Sequence, residues 1–238
     1  MPPQSGGMEI NMGTSKGYIA PTTPHWSQAK RAVTSYINSG DGESRAKAAS
    51  KYASAMHHDI ATSEQFTKAA GSILSFAKAV SHGGINNALH EFNRNDLIGK
   101  SSDEIYNELI QDFTNYGNTT EDYLSAEAIR AALKGLNITD LGDLKDVAPD
   151  VLLKEMLIEY IKFSFAFRYE EKIRMKRNPE ETERLLEKMD KYISNELHNN
   201  LKLEDIKIMD FGHLQASEVV KRSLEDAYKV FELFYGEA

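Results

Sequence analysis

The stretch Val151–Arg177, VLLKEMLIEYIKFSFAFRYEEKIRMKR, decides the fold. Its apolar residues recur at helical spacing and then spread over the remaining sides of the helix. They are Leu152, Leu153, Met156, Leu157, Ile158, Tyr160, Ile161, Phe163, Phe165 and Phe167. A helix that is apolar nearly all round is buried by other helices. The sequence therefore predicts an all-α protein, a multi-helix bundle in which this long helix is central.

Proline residues mark both ends of the central helix. Pro149 suits the first helical turn, where a missing N–H costs nothing. Asn178-Pro179 should end the helix, because the residue before a proline is pushed out of the α region. At about 1.5 Å per residue the helix is about 40 Å long. Lys154 and Glu155 interrupt its apolar surface, whereas a membrane span needs about 18 or more apolar residues in a row.

Amphipathic helices are predicted on both sides of this stretch, near residues 24–37, 44–57, 62–80, 85–92, 101–113, 119–135, 178–197 and from 212 onward. Ser101–Glu104 has the pattern of a capping box. Gly83-Gly84 is expected to end the third helix, since glycine accepts the left-handed cap conformation. No strand alternation persists, and we expect at most a short two-stranded sheet near Leu203–Met209.

Residues 1–24 differ from the rest of the chain. Glycine, proline, serine and threonine dominate them, and no hydrophobic period is present. Such a composition favours a flexible or extended segment. We therefore divide the chain into a flexible N-terminal arm at 1–24 and a helical domain at 25–238.

Composition limits the function classes. The absence of cysteine excludes disulfides, thiolate zinc sites and cysteine nucleophiles, and it suits a reducing cytoplasm. A net charge of −8 argues against wholesale nucleic-acid binding. Residues 1–58 nevertheless carry six basic against three acidic residues. This basic first third is either a solvated helix face or a partner surface, so a nucleic-acid-binding adaptor stays open as an alternative.

The sequence shows no convincing catalytic or metal site. His57-His58-Asp59 is the nearest approach to a metal cluster, but adjacent helical residues point in different directions. Gly13–Gly17 lacks the spacing of a phosphate loop, and no strand precedes it. We therefore predict a protein that is not an enzyme and has no cofactor. A cryptic metal-dependent enzyme is the competing hypothesis.

Four segments, in this order and spacing, resemble one family. They are MGTSKGY at Met12–Tyr18, KRAVTSYI at Lys30–Ile37, GSILSFAKAV at Gly71–Val80 and LNITDLGDL at Leu136–Leu144. Together they resemble the QatB proteins, components of the bacterial Qat anti-phage defence system. The resemblance implies partners in the same system: a QueC-like enzyme of the QatC type, an ATPase and a TatD-like nuclease. It implies no catalytic signature in this chain.

The resemblance also implies a site in the arm, where the family shares the opening Met-Gly-Thr-Ser. The predicted partner-binding or modification residues are Met12, Gly13, Thr14, Ser15, Lys16, Gly17 and Tyr18. Gly13 is the expected processing point, which requires initiation at Met12 with methionine removal, or cleavage between these two residues. This sequence departs from the family in its short linker after the motif and in the eleven residues that precede Met12.

Overall fold

The computed structural model describes residues 22–203 and 213–233, without the side chains of 213–215. The described residues form eight α-helices: α1 Pro24–Ser39, α2 Gly42–His58, α3 Glu64–Glu91, α4 Ser102–Phe113, α5 Thr120–Gly135, α6 Pro149–Arg174, α7 Pro179–Asn200 and α8 His213–Leu233. Short 3-10 turns lie at Ile60–Ser63, Asn95–Leu97, Asn115–Gly117 and Leu141–Asp146. No strand occurs in this part of the chain, so the all-α prediction is confirmed. Residues 204–209 of the predicted two-stranded sheet lie outside the described part of the chain.

Helix α6 is the central helix that the sequence predicts. Its apolar residues are buried at Leu152, Leu153, Met156, Leu157, Ile158, Tyr160, Ile161, Phe165 and Ile173, and Phe163 and Phe167 pack partly buried against the core. Helices α5 and α7 cover it, and α3 and α8 also contact it. Within the described residues, no helix has both the length and the apolar character needed to cross a membrane.

The C-terminal end of α6 lies earlier than Asn178-Pro179 implies. The helix ends at Arg174, and the backbone N–H of Arg177 donates to the Ile173 carbonyl at 2.9 Å, which closes a turn. The Arg177 guanidinium then donates to the carbonyls of Ile37 and Asn38. This tertiary contact with the end of α1 accompanies the end of α6 at Arg174. The Asn178-Pro179 signal alone does not predict the contact.

The helix starts follow the capping signals in the sequence. Ser101 and Glu104 form the predicted capping box at the start of α4. Thr119 and Asp122 form a second one at the start of α5. Each satisfies two backbone N–H groups that the first turn of a helix leaves free.

Gly84 interrupts the helical backbone of α3 where the Gly83-Gly84 signal predicts a break. Its φ of 75° and ψ of 176° are non-helical, in a region that essentially only glycine occupies. A second helical part follows Gly84 and runs to Glu91. Its Ala88 and Leu89 side chains are fully buried in the core. The predicted segments 62–80 and 85–92 are therefore the two helical parts of α3 on either side of the kink.

Helices α3 and α8 approach each other closely at Gly71. A Cβ atom placed on Gly71 would lie 2.8 Å from the Ser217 nitrogen and 3.0 Å from its Cα. Both atoms belong to the backbone of α8, which cannot rotate away as a side chain can. The contact therefore requires glycine, and it fixes the distance between the two helices.

We predict that Gly71→Ala lowers the free energy of unfolding by about 1–3 kcal/mol, because the added methyl group overpacks a backbone contact. Gly135→Ala is the matched control. Gly135 is also helical and has open space around a Cβ, so alanine there should leave stability unchanged or raise it by up to about 1 kcal/mol. Urea denaturation of both variants measures this, and equal effects would contradict the close approach.

Two carboxyl groups lie in poorly solvated positions. Burial raises the pKa of Glu121 to about 7, although the backbone N–H groups of Phe66 and Gln65 and the Tyr160 hydroxyl oppose the rise. Burial likewise raises the pKa of Asp190 to about 6, opposed by Lys162. Both groups bind a proton more tightly in the folded protein than in the unfolded chain.

The raised pKa of Glu121 predicts a pH-dependent loss of stability. Its contribution is fully present below its ordinary pKa of 4.5 and is lost as the pH rises through about 7. Glu121→Gln, which cannot ionise, should therefore gain stability relative to the natural chain between pH 5 and pH 8. Urea midpoints across this range measure the gain. The control is Glu183→Gln, at an exposed position of α7. If the urea midpoint of each variant differs from that of the natural chain by the same amount at every pH, the prediction is wrong.

Candidate functional site at the base of the arm

The predicted site residues, Met12–Tyr18, lie outside the described part of the chain, so their role stays a prediction. The structure does describe where the arm joins the helical body. Thr23 is the N-cap of α1: its hydroxyl accepts from the Trp26 backbone N–H at 3.5 Å. The Thr23 carbonyl accepts from the Ser27 N–H at 3.0 Å. The chain therefore enters a regular helix directly after the arm.

Trp26 fastens this first turn to the body. Its side chain is 2% exposed, and its indole N–H donates to Asp59 Oδ2 at 3.2 Å, beyond the end of α2. The Arg168 guanidinium lies 4.5 Å from its ring centroid, a cation–π contact from α6. Tyr52 meets the ring edge-on at 6.2 Å. Groups from α2, α6 and the segment after α2 thus hold one side chain of α1.

Histidines complete the surroundings of Trp26. The His25 ring stacks on the His58 ring with 3.7 Å between centroids. His57 Nδ1 lies 3.2 Å from Glu232 Oε1, near the end of α8. The two adjacent histidines therefore contact different helices, as expected from their positions on α2. We call His25, Trp26, His57, His58, Asp59, Arg168 and Glu232 the arm-base junction.

The arm-base junction brings both ends of the described chain to one place. His25 lies in the first turn of α1, and Glu232 lies one residue before the end of α8. Both contact the last two residues of α2. Leu233, beside Glu232, is 78% exposed. A partner that binds here would meet the base of the arm, an exposed apolar side chain and a group of imidazoles together.

The remaining histidines with described side chains have ordinary partners. His82 lies 2.8 Å from the Lys78 carbonyl, and His90 lies 2.8 Å from Asn95 Oδ1. His198 is 2.6 Å from Glu155 Oε1. No group of three or more histidine, aspartate or glutamate residues in the described ranges is arranged to hold a metal ion. The His57–His58 pair thus gives the metal-enzyme hypothesis no support.

Several basic residues act within the fold. Arg45, from the basic first third, lies 5.2 Å from the Tyr192 ring centroid. Lys172 donates to the Lys30 carbonyl and to the Thr34 hydroxyl of α1. The Arg45 contact gives this one residue of the basic first third a structural role, and the nucleic-acid adaptor stays an untested alternative.

Sequence reasoning missed the grouping of Trp26, Asp59 and Arg168. Two signals for it were present. Trp26 is the only tryptophan in the chain, and Arg168 directly follows the apolar run of the central helix. Neither signal reveals the third member, because Asp59 reaches Trp26 only through the packing of α2 against α1.

We predict that Asp59→Ala lowers the free energy of unfolding by about 1–2 kcal/mol, since a buried indole N–H loses a charged acceptor. Fluorescence of Trp26 during urea denaturation reports the change. Asp226→Ala is the control, because Asp226 forms an exposed ion pair with Lys229, which should contribute below about 1 kcal/mol. Equal losses in both variants would show that the indole bond does not hold the junction.

Known proteins related to this chain identify its family. No curated protein and no solved structure matches the chain. One family model does match, over residues 60–231, which run from the turn before α3 to near the end of α8. Its description is "Qat anti-phage system associated protein QatB". Because the match covers most of the chain, this protein belongs to the QatB family of the Qat anti-phage defence system.

Proposed function

We propose that this chain is a non-catalytic component of the Qat system that serves as a protein partner and N-terminal substrate of a QueC-like enzyme. The observation that supports the proposal is the fixed start of α1. Thr23 and Trp26 join the arm to the body at a defined point, and the Met12–Tyr18 motif lies shortly before it. The body then acts as a holder, and the chemistry takes place in the arm.

The length of the arm suits a protein whose body docks while its arm reaches the active site. Nine residues lie between Gly13 and Thr23, and the ten residue steps from one to the other give a reach of at most about 35 Å. A body docked on the outside of an enzyme can therefore place Gly13 inside an active-site cleft. Glycine has no Cβ, so its backbone approaches a nucleotide site closely. Lys16 offers a positive charge for a phosphate and Tyr18 an aromatic anchor.

The chemistry of Gly13 favours modification at its amine. An N-terminal amine has a pKa of about 7.7–8.0, against about 10.4 for lysine, so more of it is neutral and nucleophilic near pH 7. A QueC-type enzyme activates a deazaguanine carboxylate with ATP. In the proposed step the Gly13 nitrogen attacks the acyl-adenylate carbonyl and an amide bond forms. AMP leaves, and the amine proton passes to solvent. Residues 1–12 must be absent or removed first.

The test is intact-mass spectrometry of the chain after coexpression with its QueC-like neighbour. We expect loss of residues 1–12 together with added mass on the fragment that begins at Gly13. Gly13→Val should abolish the added mass. Gly7→Val is the matched control, the same substitution in the segment that is removed, and it should keep the modification.

Two results would contradict the proposal. One is an unmodified, uncleaved arm in a strain that still resists phage, with Gly13→Val fully active. The other is a deletion of residues 1–24 that leaves both partner binding and defence intact. Salt-dependent DNA binding by the purified chain would instead favour the adaptor hypothesis.

A further inference from the structure

A basic surface lies where α1 runs alongside the end of α6. Helix α1 contains two basic residues and no acidic one, and residues 172–177 contain four basic residues and no acidic one. Lys172 joins the two segments, because its ammonium donates to the Lys30 carbonyl at 3.0 Å and to the Thr34 hydroxyl at 2.6 Å. Packing therefore gathers positive charges that lie far apart in the sequence.

The positive charges on this surface are close enough to repel one another. Partial burial lowers the pKa of Lys172, and the charges of Lys176 and Lys30 lower it further. Both charged groups that act on Lys172 are therefore cations. Like charges at short range disfavour one another, and a negative charge from outside the chain would offset that repulsion.

We call this surface the basic edge and define it by five residues: Lys30, Arg31, Lys172, Arg174 and Lys176. Arg31, Arg174 and Lys176 are exposed, whereas Lys30 and Lys172 are partly buried. Glu170, which pairs with Arg174, and Glu171 are the carboxylates of the same turn of α6. Five basic against two acidic residues leave a charge of +3, on a chain whose net charge is −8.

We propose that the basic edge is the surface by which the helical body docks onto an acidic patch of the QueC-like enzyme. The inference rests on the proposed function, since it names the surface that would position the arm. Lys30 comes seven residues after Thr23, which places it about 10 Å along α1 from the base of the arm. A body held by this edge keeps the exit of the arm beside the enzyme.

A protein partner fits the basic edge better than a nucleic acid does. The net negative charge of the whole chain repels an extended polyanion, whereas an acidic patch on a protein is local. Met175, between Arg174 and Lys176, is 75% exposed and offers an apolar contact. Methionine and arginine are both enriched in protein–protein interfaces. Opposite charges across such an interface steer association and fix the orientation of the partners.

The test measures the affinity of the full chain for the purified QueC-like enzyme by isothermal titration calorimetry. Arg31→Glu/Lys176→Glu reverses two exposed charges of the basic edge. We expect it to bind at least about tenfold more weakly, because like charges then meet across the interface. The affinity of the natural chain should also fall between about 0.1 M and about 1 M salt, as the Debye length shrinks from about 10 Å to about 3 Å.

The matched control is Lys134→Glu/Lys145→Glu, at exposed positions of α5 and of the turn before α6. It changes the net charge by the same amount and should bind as the natural chain does. Arg31→Gln/Lys176→Gln removes the two charges without reversing them, and its affinity should lie between those of the natural chain and the reversal variant. It also decides the question if circular dichroism shows that the reversal variant is unfolded.

Intact-mass spectrometry of the same mixtures separates this inference from the proposed function. If the basic-edge variants and the control bind equally well, the basic edge is not the docking surface, even where Gly13 gains mass. If only the basic-edge variants lose affinity while Gly13 gains no mass in the natural chain, the docking surface is supported and the modification is wrong. A natural chain that does not bind the enzyme overturns the docking surface. So do basic-edge variants that lose binding to double-stranded DNA and keep their affinity for the enzyme.

Discussion

Burial of α6 is the constraint on which the rest of the structure depends. Its apolar residues face several directions, so no single neighbour covers them. Helices α5 and α7 lie against it, and Phe66 of α3 stacks on Tyr160 with ring centroids 3.9 Å apart. Tyr52 of α2 meets Phe165 edge-on. Enclosing a long apolar helix requires this many partners, which is why the fold is a bundle and not a pair of layers.

Polar contacts from α6 and from the turn that follows it then fix α1. Arg168 contacts Trp26, Lys172 contacts the backbone of Lys30, and Arg177 contacts the backbone of Ile37. The numbers increase together, so α1 lies alongside α6 in the same direction. Arg177 also places positive charge at the C-terminal end of α1, where the helix dipole favours it. The start of α1, and with it the exit of the arm, is held by the central helix.

Local signals predicted much of this fold. The apolar run of α6 and the capping box at Ser101 depend on neighbouring residues, and each appears where the sequence places it. Features that depend on distant residues were missed or misjudged. The early end of α6 at Arg174 is one of them, because the contact of Arg177 with the end of α1 accompanies it.

The candidate site also has one part that local sequence predicts and one part that depends on distant residues. Its arm motif is a sequence feature, so the resemblance supplied it, and the described residues do not test it. The arm-base junction is a tertiary feature: Trp26, Asp59 and Arg168 meet only after three helices pack.

In the proposed function, the body holds the arm near the active site of the enzyme. When a folded body binds an enzyme, a short flexible linker holds the attached segment near the active site at an effective concentration of the order of millimolar. If the arm is as flexible as its composition predicts, ten residues give a typical span of about 18 Å. The enzyme then needs little direct affinity for the Met12–Tyr18 motif, since docking of the body supplies most of the selectivity. The arm-base junction contributes by fixing the point from which that span is measured.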